Sequence, residues 1–310
     1  MTGTAPGVTI PERFLEPYRD IVDDFQAFEA SLKRYPRSSF RVNTLKGRPE
    51  DVVARLTIAG IKAVPVPWYA DAFVTENEQV LGFTLERFLG TIYIQELASM
   101  IPPLVAAEEL RGATMVLDAC AAPGSKTTQA AAIMYNNGCI IANDRNYGRI
   151  RALQFNIHKF GAINAVITAC ELQELPRMTF DVVLLDVPCS SIGTVRKNPK
   201  LFESWQEKVS LGYSRRQMDL MLRGFDMLRP GGTLVYSTCS LSPDENEVVI
   251  DYLLRKRTAT VISVAVPGFQ MAPGITRWRG AELNPEVART GRVWPHLNDT
   301  DGFFVAKVRK

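Results

Sequence analysis

From about residue 113 onward, short apolar runs of strand character alternate with amphipathic stretches of helical length, and this rhythm constrains the fold more than any other feature. Strands that follow one another through helices are parallel, because a parallel pair needs a crossover of a dozen residues or more. Strands are expected at 113–120, 138–144, 164–170, 180–186, 232–239, 259–264 and 303–308. Between them lie SKTTQAAAIMY, RIRALQFNIHKF and DENEVVIDYLLRK, the last opened by Ser242 and Pro243, a helix-start signal. LRPGG (228–232) reads as a turn into the following strand. The expectation is an α/β chain with a Rossmann-like sheet and helices on both faces. Residues 1–90 break the rhythm: SFRVNTLK as strand, EDVVARLTIAG as helix and IKAVPVPW as strand suggest a small α/β module. Two domains follow, 1–90 and 91–310, with TIYIQELASMIPPLVAAEEL bridging them.

No apolar run approaches the roughly 18 uncharged residues of a membrane span, so no membrane association is expected. The first 17 residues lack a basic stretch followed by an apolar one, so a secretory leader is not expected and a cytoplasmic location is. Five cysteines without a CxxC pair, and only two histidines, argue against zinc or a disulfide framework. The net charge of +3 does not by itself announce a polyanionic partner.

Function is written at the strand ends, where open α/β sheets bind ligands. LDACAAPGSKTTQ follows the first main-sheet strand and opens a helix, and its small residues let backbone approach a ligand closely. It has neither GxGxxG nor GxxxxGK[ST] spacing, which weakens the dinucleotide and ATP readings. One strand later, Asp144 ends IIAND, where a carboxylate can accept both hydroxyls of a ribose or, alternatively, cap the next helix. A nucleoside-type cofactor held without a pyrophosphate loop points to S-adenosylmethionine.

Two more strand ends, VVLLDVPCSS and LVYSTCSLSPDENE, each deliver a cysteine, Cys189 and Cys239. Either alone reads best as a buried small hydrophobe. Together, beside Asp186, they suggest nucleophilic chemistry. Carbon 5 of a pyrimidine is too weak a nucleophile to attack a methyl sulfonium; a thiolate must first add to carbon 6. A carboxylic acid at Asp186 would stabilise the charge developing at ring nitrogen 3, and a second thiol would assist the final elimination. Amino-group methyltransferases need no such thiol.

RVNTLK (41–46), YIQELAS (93–99), DACAAPGSKT (118–127), DVPCSSIGTVRKNP (186–199), RPGGTLVYSTCSLSPDENE (229–247) and WPH…DGFF (294–304) together resemble the Sun family of RNA cytosine-5 methyltransferases (the Nol, Nop and Sun group), most closely its short archaeal tRNA-modifying members. The resemblance covers nearly the whole chain. It implies a class I methyltransferase sheet behind an RNA-recognition-like module, S-adenosylmethionine as cofactor and RNA as substrate, tRNA before rRNA. It also implies that Cys239 is the nucleophile, that Cys189 aids product release, that Asp186 contacts the cytosine beside the cofactor, and that Lys126 sits near the reacting centre. The cofactor loop maps to Cys120, Ala121, Ala122, Pro123, Gly124, Ser125 and Lys126, with Asp144 on ribose and Arg149 nearby. The family's adenine-binding Asp is replaced by Cys170, so either Glu171 shifts in or backbone holds the ring.

Arg34, Arg37, Arg41, Lys46 and Arg48, with Arg196, Lys197 and Lys200, are candidates for phosphate contacts. Phe202, Trp205 and Trp278 are candidates for packing near an extruded base, though each reads better as core. A monomer is expected. No segment follows FFVAKVRK, so target choice is expected to rest on the N-terminal module, surface charge or an accessory protein. A non-catalytic ribosome-assembly factor and an amino-group or small-molecule methyltransferase are the competing readings; the first leaves the full set of Cys239, Cys189, Asp186 and Lys126 unexplained, the second the two thiols and the module.

Overall fold

The computed structural model describes residues 9–76 and 78–310; part of the N-terminus read above as leaderless, residues 1–8, lies outside them. The first sheet contains β1 (Ser38–Val42), β2 (Val64–Val66), β3 (Tyr69–Thr75) and β4 (Ile92–Ile94), in the order β2-β3-β1-β4 with all pairs antiparallel. Its sheet runs past residue 90, since β4 pairs with β1. Helix α2 (Pro49–Ile58) packs Val52 and Leu56 against Phe40, Val42 and Phe73, a small core of its own. The preceding segment belongs elsewhere: Phe14, Tyr18 and Phe28, the last on α1 (Phe25–Leu32), pack on Phe202, Leu241 and Trp294 of the main domain.

The main sheet holds β5 (Met115–Asp118), β6 (Cys139–Asn143), β7 (Ala165–Thr168), β8 (Phe180–Asp186) and β9 (Leu228–Thr238), all parallel to their neighbours in the order β9-β8-β5-β6-β7. Each of the first five expected strands is present. β9 starts at Leu228, so LRPGG is strand with a register shift rather than a turn outside it. The last two expected strands, β10 (Thr260–Ile262) and β15 (Phe303–Arg309), run against the parallel expectation: β15 pairs antiparallel with both β9 and β10. A strand buried on both faces is apolar throughout whatever its direction, so the pattern carries no sign for it. Beyond β15 lie β14 (Gly291–Val293) and β11 (Ala272–Pro273), while β12 (Arg277–Trp278) and β13 (Ala281–Glu282) form a separate hairpin; none of these four was read from the sequence, being only two or three residues long.

Burial on both faces explains the unbroken apolar run VVLL. Val182 and Leu184 point to one layer with Val116, Val235, Leu153 and Ile157; Val183 and Leu185 point to the other with Leu220, Phe225, Val249 and Leu253. The first layer is α3 (Ser125–Ile133) and α4 (Tyr147–Phe160), the second α5 (Glu207–Asp226) and α6 (Glu247–Lys256). The chain moves outward from β5 through β6 to β7, then returns to β8 on the other side of β5. This reversal opens a crevice beyond the carboxyl ends of β5 and β8, where a ligand site belongs.

Candidate active site

Four loops meet at that crevice. The loop after β5 turns into α3 through Gly124, whose φ of +104° is costly for any residue with a side chain and where a Cβ would also press on Leu153. Lys126, in the first turn of α3, is turned inward rather than exposed, its side chain 8% accessible. Its Nζ donates to Asp186 Oδ2 at 2.7 Å and lies over the ring of Phe303. Asp186, the last residue of β8, accepts at its other oxygen from Ser237 Oγ on β9 at 2.7 Å.

The two thiols face each other with Sγ atoms 3.0 Å apart, both cysteines free. Ser191, held at φ +59°, brings its Oγ within 3.5 Å of Cys239 Sγ. The hydrogen bond from Cys189 holds the Cys239 thiol below its ordinary range against the effect of burial, and Ser191 and the Lys126 charge add to this. The same contact, reinforced by burial, pushes Cys189 well above that range. The pair is thus polarised: the contact favours the thiolate on Cys239 and the proton on Cys189. Lys126→Gln removes a cation that favours the thiolate, so the pH profile of Cys239 alkylation should move to higher pH; an unshifted profile would show that the Lys126 charge does not reach the sulfur.

Glu245, which sequence reasoning passed over, holds the two thiol loops together. Fully buried, it accepts at Oε2 from Ser190 N (2.8 Å) and Gln217 Nε2 (3.2 Å), and at Oε1 from Ser240 Oγ (2.7 Å) and Ser190 Oγ. Ser190 follows one cysteine and Ser240 the other, so one carboxylate fixes both. Asn246 adds its Oδ1 to the Thr238 hydroxyl (2.6 Å) and its Nδ2 to the Ser240 carbonyl (2.9 Å). The available signal was a carboxylate and an amide in PDENE directly after a loop rich in hydroxyls. Glu245→Ala would leave four donors, two of them fully buried, without their acceptor, which costs about 3 kcal/mol; the urea midpoint should fall with the slope unchanged. The fourth loop closes behind Cys239. Gly193 N donates to the Cys239 carbonyl (2.8 Å) and Gly302 N to the Gly193 carbonyl (2.9 Å), and a Cβ on Gly193 would collide with Gly302 O.

Beside the thiols, Ala119, Cys120, Asn143, Asp144, Cys170 and Pro188 line a cleft. Asp144 is 3% exposed and accepts from Asn146 N at Oδ1 (2.9 Å) and Ala122 N at Oδ2 (3.2 Å), which leaves Oδ1 a lone pair for a ribose hydroxyl. Asn146, not Asp144, caps α4. Arg149 reaches back to the Ala122 carbonyl and to Asp144. Small walls, a buried carboxylate and a left-handed glycine at a helix start fit a nucleoside cofactor. Asp118, next to Lys126, is pushed by burial up to about 7 while accepting from Thr127 Oγ1 at 2.6 Å. Glu171 also lines the cleft, but its carboxylate is engaged by Arg145 (3.0 Å) and Arg216 (3.1 Å), so a move toward adenine would break two ion pairs. Asn143 bonds the Cys170 carbonyl (3.1 Å) and fixes the backbone there.

Two of the expected phosphate contacts are corrected. Arg41 is fully buried, bonded to Gln95, Thr128 and the Ser125 carbonyl, and ties the first module to the cofactor loop. Arg196, 1% exposed, spans the carbonyls of Arg34, Tyr35 and Thr300 and the carboxylate of Asp299. Both read as cationic surface because a sequence does not show which arginines are roofed over. Phe202 is core, edge-on to Phe14, and Trp278 donates to Asp244.

The model of the 16S rRNA methyltransferase RsmB/F domain matches residues 106–309, well over half of the chain. The chain belongs to the RsmB/F (Sun) family of RNA methyltransferases. This RsmB/F member also matches the N-terminal domain of 16S rRNA methyltransferase RsmF over residues 10–97. It is 40% identical to a tRNA (cytosine(49)-C(5))-methyltransferase of Pyrococcus abyssi, covering 97% of this chain and 96% of that protein. It is equally 40% identical to ribosomal RNA small subunit methyltransferase F of Shewanella denitrificans, of which it spans only 56%. A crystal structure described as a methyltransferase homolog from Pyrococcus horikoshii superposes with a TM-score of 0.84 at 33% identity, covering 98% of this chain and 96% of that one. NSun6 from the same organism, solved with SFG, superposes at 0.81 over 97% of this chain and 98% of that one; at 24% identity this shows the fold. As a family member, the chain is an S-adenosylmethionine-dependent RNA cytosine-5 methyltransferase. Among the described residues, no helix is long and apolar enough to cross a membrane.

Proposed function

We propose that this RsmB/F-family enzyme methylates carbon 5 of a cytosine in tRNA through a covalent bond from Cys239 to the base. The observation that carries the reading is the polarised thiol pair, 3.0 Å apart, beside the Lys126–Asp186 ion pair. When bound, S-adenosylmethionine supplies the methyl group, and Asp144, Gly124 and the walls of the cleft hold it. Cys239 Sγ adds as thiolate to carbon 6 of the ring, and the electron pair moves toward nitrogen 3. The proton for nitrogen 3 comes from the Lys126 ammonium and passes through Asp186, whose Oδ2 already accepts from it, leaving Lys126 neutral. With nitrogen 3 neutralised, carbon 5 becomes enamine-like and nucleophilic. Once carbon 5 carries the methyl, its proton must leave to a base and the carbon–sulfur bond must break. Cys189, in contact with the departing sulfur, passes its proton to Cys239 as that bond breaks; nitrogen 3 returns its proton through Asp186 to Lys126, and the neutral aromatic ring is restored. Glu245 keeps both sulfurs at this separation throughout.

Choice of tRNA is supported by the match to the Pyrococcus abyssi enzyme, 40% identical over 97% of this chain and 96% of that one. The family-model descriptions favour rRNA as the second reading. Labelled S-adenosylmethionine incubated with unmodified tRNA and, separately, with 16S rRNA, followed by nucleoside analysis, separates them. Labelled 5-methylcytidine from tRNA supports the proposal. Product from rRNA alone keeps the chemistry and overturns the substrate; absence of product from both overturns the reading.

A further inference from the structure

Residues 145–170 contain no aspartate or glutamate, and α4 occupies most of that stretch. Along its outer face Tyr147, Arg151, Phe155 and Lys159 stand four residues apart, a spacing that stacks side chains one turn above the next. The helix has its apolar anchor on the opposite side, in Leu153, Ile157 and Phe160. The outward rings are therefore not core residues lacking a place inside. Tyr147 is 74% and Phe155 62% exposed. Lys159 Nζ sits 5.5 Å from the centre of the Phe155 ring, so ring and cation form one surface.

The stripe continues onto the N-terminal module. Lys46 Nζ donates to the carbonyls of Leu89 (2.9 Å) and Lys159 (2.6 Å), which brings a second cation to the end of α4. Burial and the charges of Arg87 and Lys46 hold Lys159 below the ordinary lysine range. Cations crowded together repel one another, and a bound polyanion relieves that repulsion. The helix is pinned to the cofactor loop by Asn156 Nδ2 on the Pro123 carbonyl (2.8 Å) and, near its start, by Arg149 on the Ala122 carbonyl, so the ridge has a fixed position relative to the thiols.

We infer that Tyr147, Arg151, Phe155 and Lys159, continued by Lys46 and Arg87, form a docking ridge for RNA, with the cations on phosphates and the two rings stacked on unpaired bases. The inference rests on the proposed function in taking RNA as substrate, and adds where it lies. A second copy of the chain is a poorer occupant, because a two-fold contact would set this cationic surface against itself. Bases stack on any exposed ring, and alternating cations track the backbone, which is the arrangement single-stranded segments require.

The test uses the full chain and an unmodified tRNA transcript, with Tyr147→Ala, Phe155→Ala and Arg151→Ala. Affinity is measured over a range of salt concentrations, alongside steady-state methylation. Loss of either ring should raise Kd and the KM for tRNA about tenfold. Arg151→Ala should make the slope of log affinity against log salt shallower by about one. The kcat at saturating tRNA and the affinity for S-adenosylhomocysteine should not change, which a misfolded variant could not satisfy. Unchanged tRNA affinity and salt slope in all three variants would overturn the ridge, as would a change in sedimentation alone, which would assign the face to a protein. A wild-type chain that methylates no RNA would instead overturn the functional reading, and the ridge with it.

Discussion

Cys239→Ser should lower methyl transfer by about four orders of magnitude while leaving the affinity for tRNA and for S-adenosylhomocysteine intact. The side chain is nearly isosteric, and the Glu245, Asn246 and Gly193 contacts that shape its loop do not involve the sulfur. What changes is the nucleophile. A hydroxyl with a pKa far above neutrality has no appreciable anionic fraction in this site, whereas the thiol at this position is held below its ordinary range by Cys189, Ser191 and Lys126. Loss of a nucleophile removes the entire covalent route, which is why the effect is set in the range of whole-mechanism losses. Measurement of kcat under saturating tRNA separates this from a binding defect; a variant that retained a tenth of wild-type kcat would exclude covalent catalysis by this residue.

Cys189→Ala should give the opposite phenotype, a stall after bond formation. Cys189 lies against the sulfur that must depart, and its hydrogen bond to Cys239, reinforced by burial, pushes its pKa up and favours the protonated form. Without that proton the carbon–sulfur bond breaks slowly, by about the hundredfold that a positioned acid contributes. Addition of Cys239 to the base remains possible. A protein–RNA species that survives denaturation should therefore accumulate, approaching one RNA per enzyme, and turnover should fall in parallel. Normal turnover without that species would remove Cys189 from the release step. The two substitutions separate the sulfurs by phenotype, because the stall requires Cys239 and should disappear in the double variant.

The sequence made the parallel half of the sheet legible because strands buried on both faces are apolar without interruption, and VVLL in β8 could be little else. It did not reveal the reversed direction of β15, since direction leaves no mark on an apolar run. The site was legible for a related reason. Strand ends project chemistry into the crevice of an α/β sheet, so Asp186 and Asp144 stood out by position, and Cys189 and Cys239 only as a pair beside Asp186. Residues acting on these at a distance were not legible. Glu245 lies 56 positions from Cys189 in the chain, and only the fold shows that it bridges Ser190 and Ser240. Arg41 and Arg196 mark the limit from the other side: they looked like cations for RNA, and are instead buried joints between the first module, the cofactor loop and the thiol loops. Lys126, which the family resemblance sets near the reacting centre, turns inward toward Asp186 rather than outward to solvent.

One measurement tests the central claim, covalent catalysis by Cys239, most directly. Cys189→Ala protein is mixed with unmodified tRNA and S-adenosylmethionine, denatured, and digested with protease and nuclease, and the cross-linked peptide is located by mass spectrometry. The predicted result is a methylated cytidine adduct on the peptide that carries Cys239. An adduct on any other residue, or free 5-methylcytidine produced at the wild-type rate with no adduct at all, would contradict it.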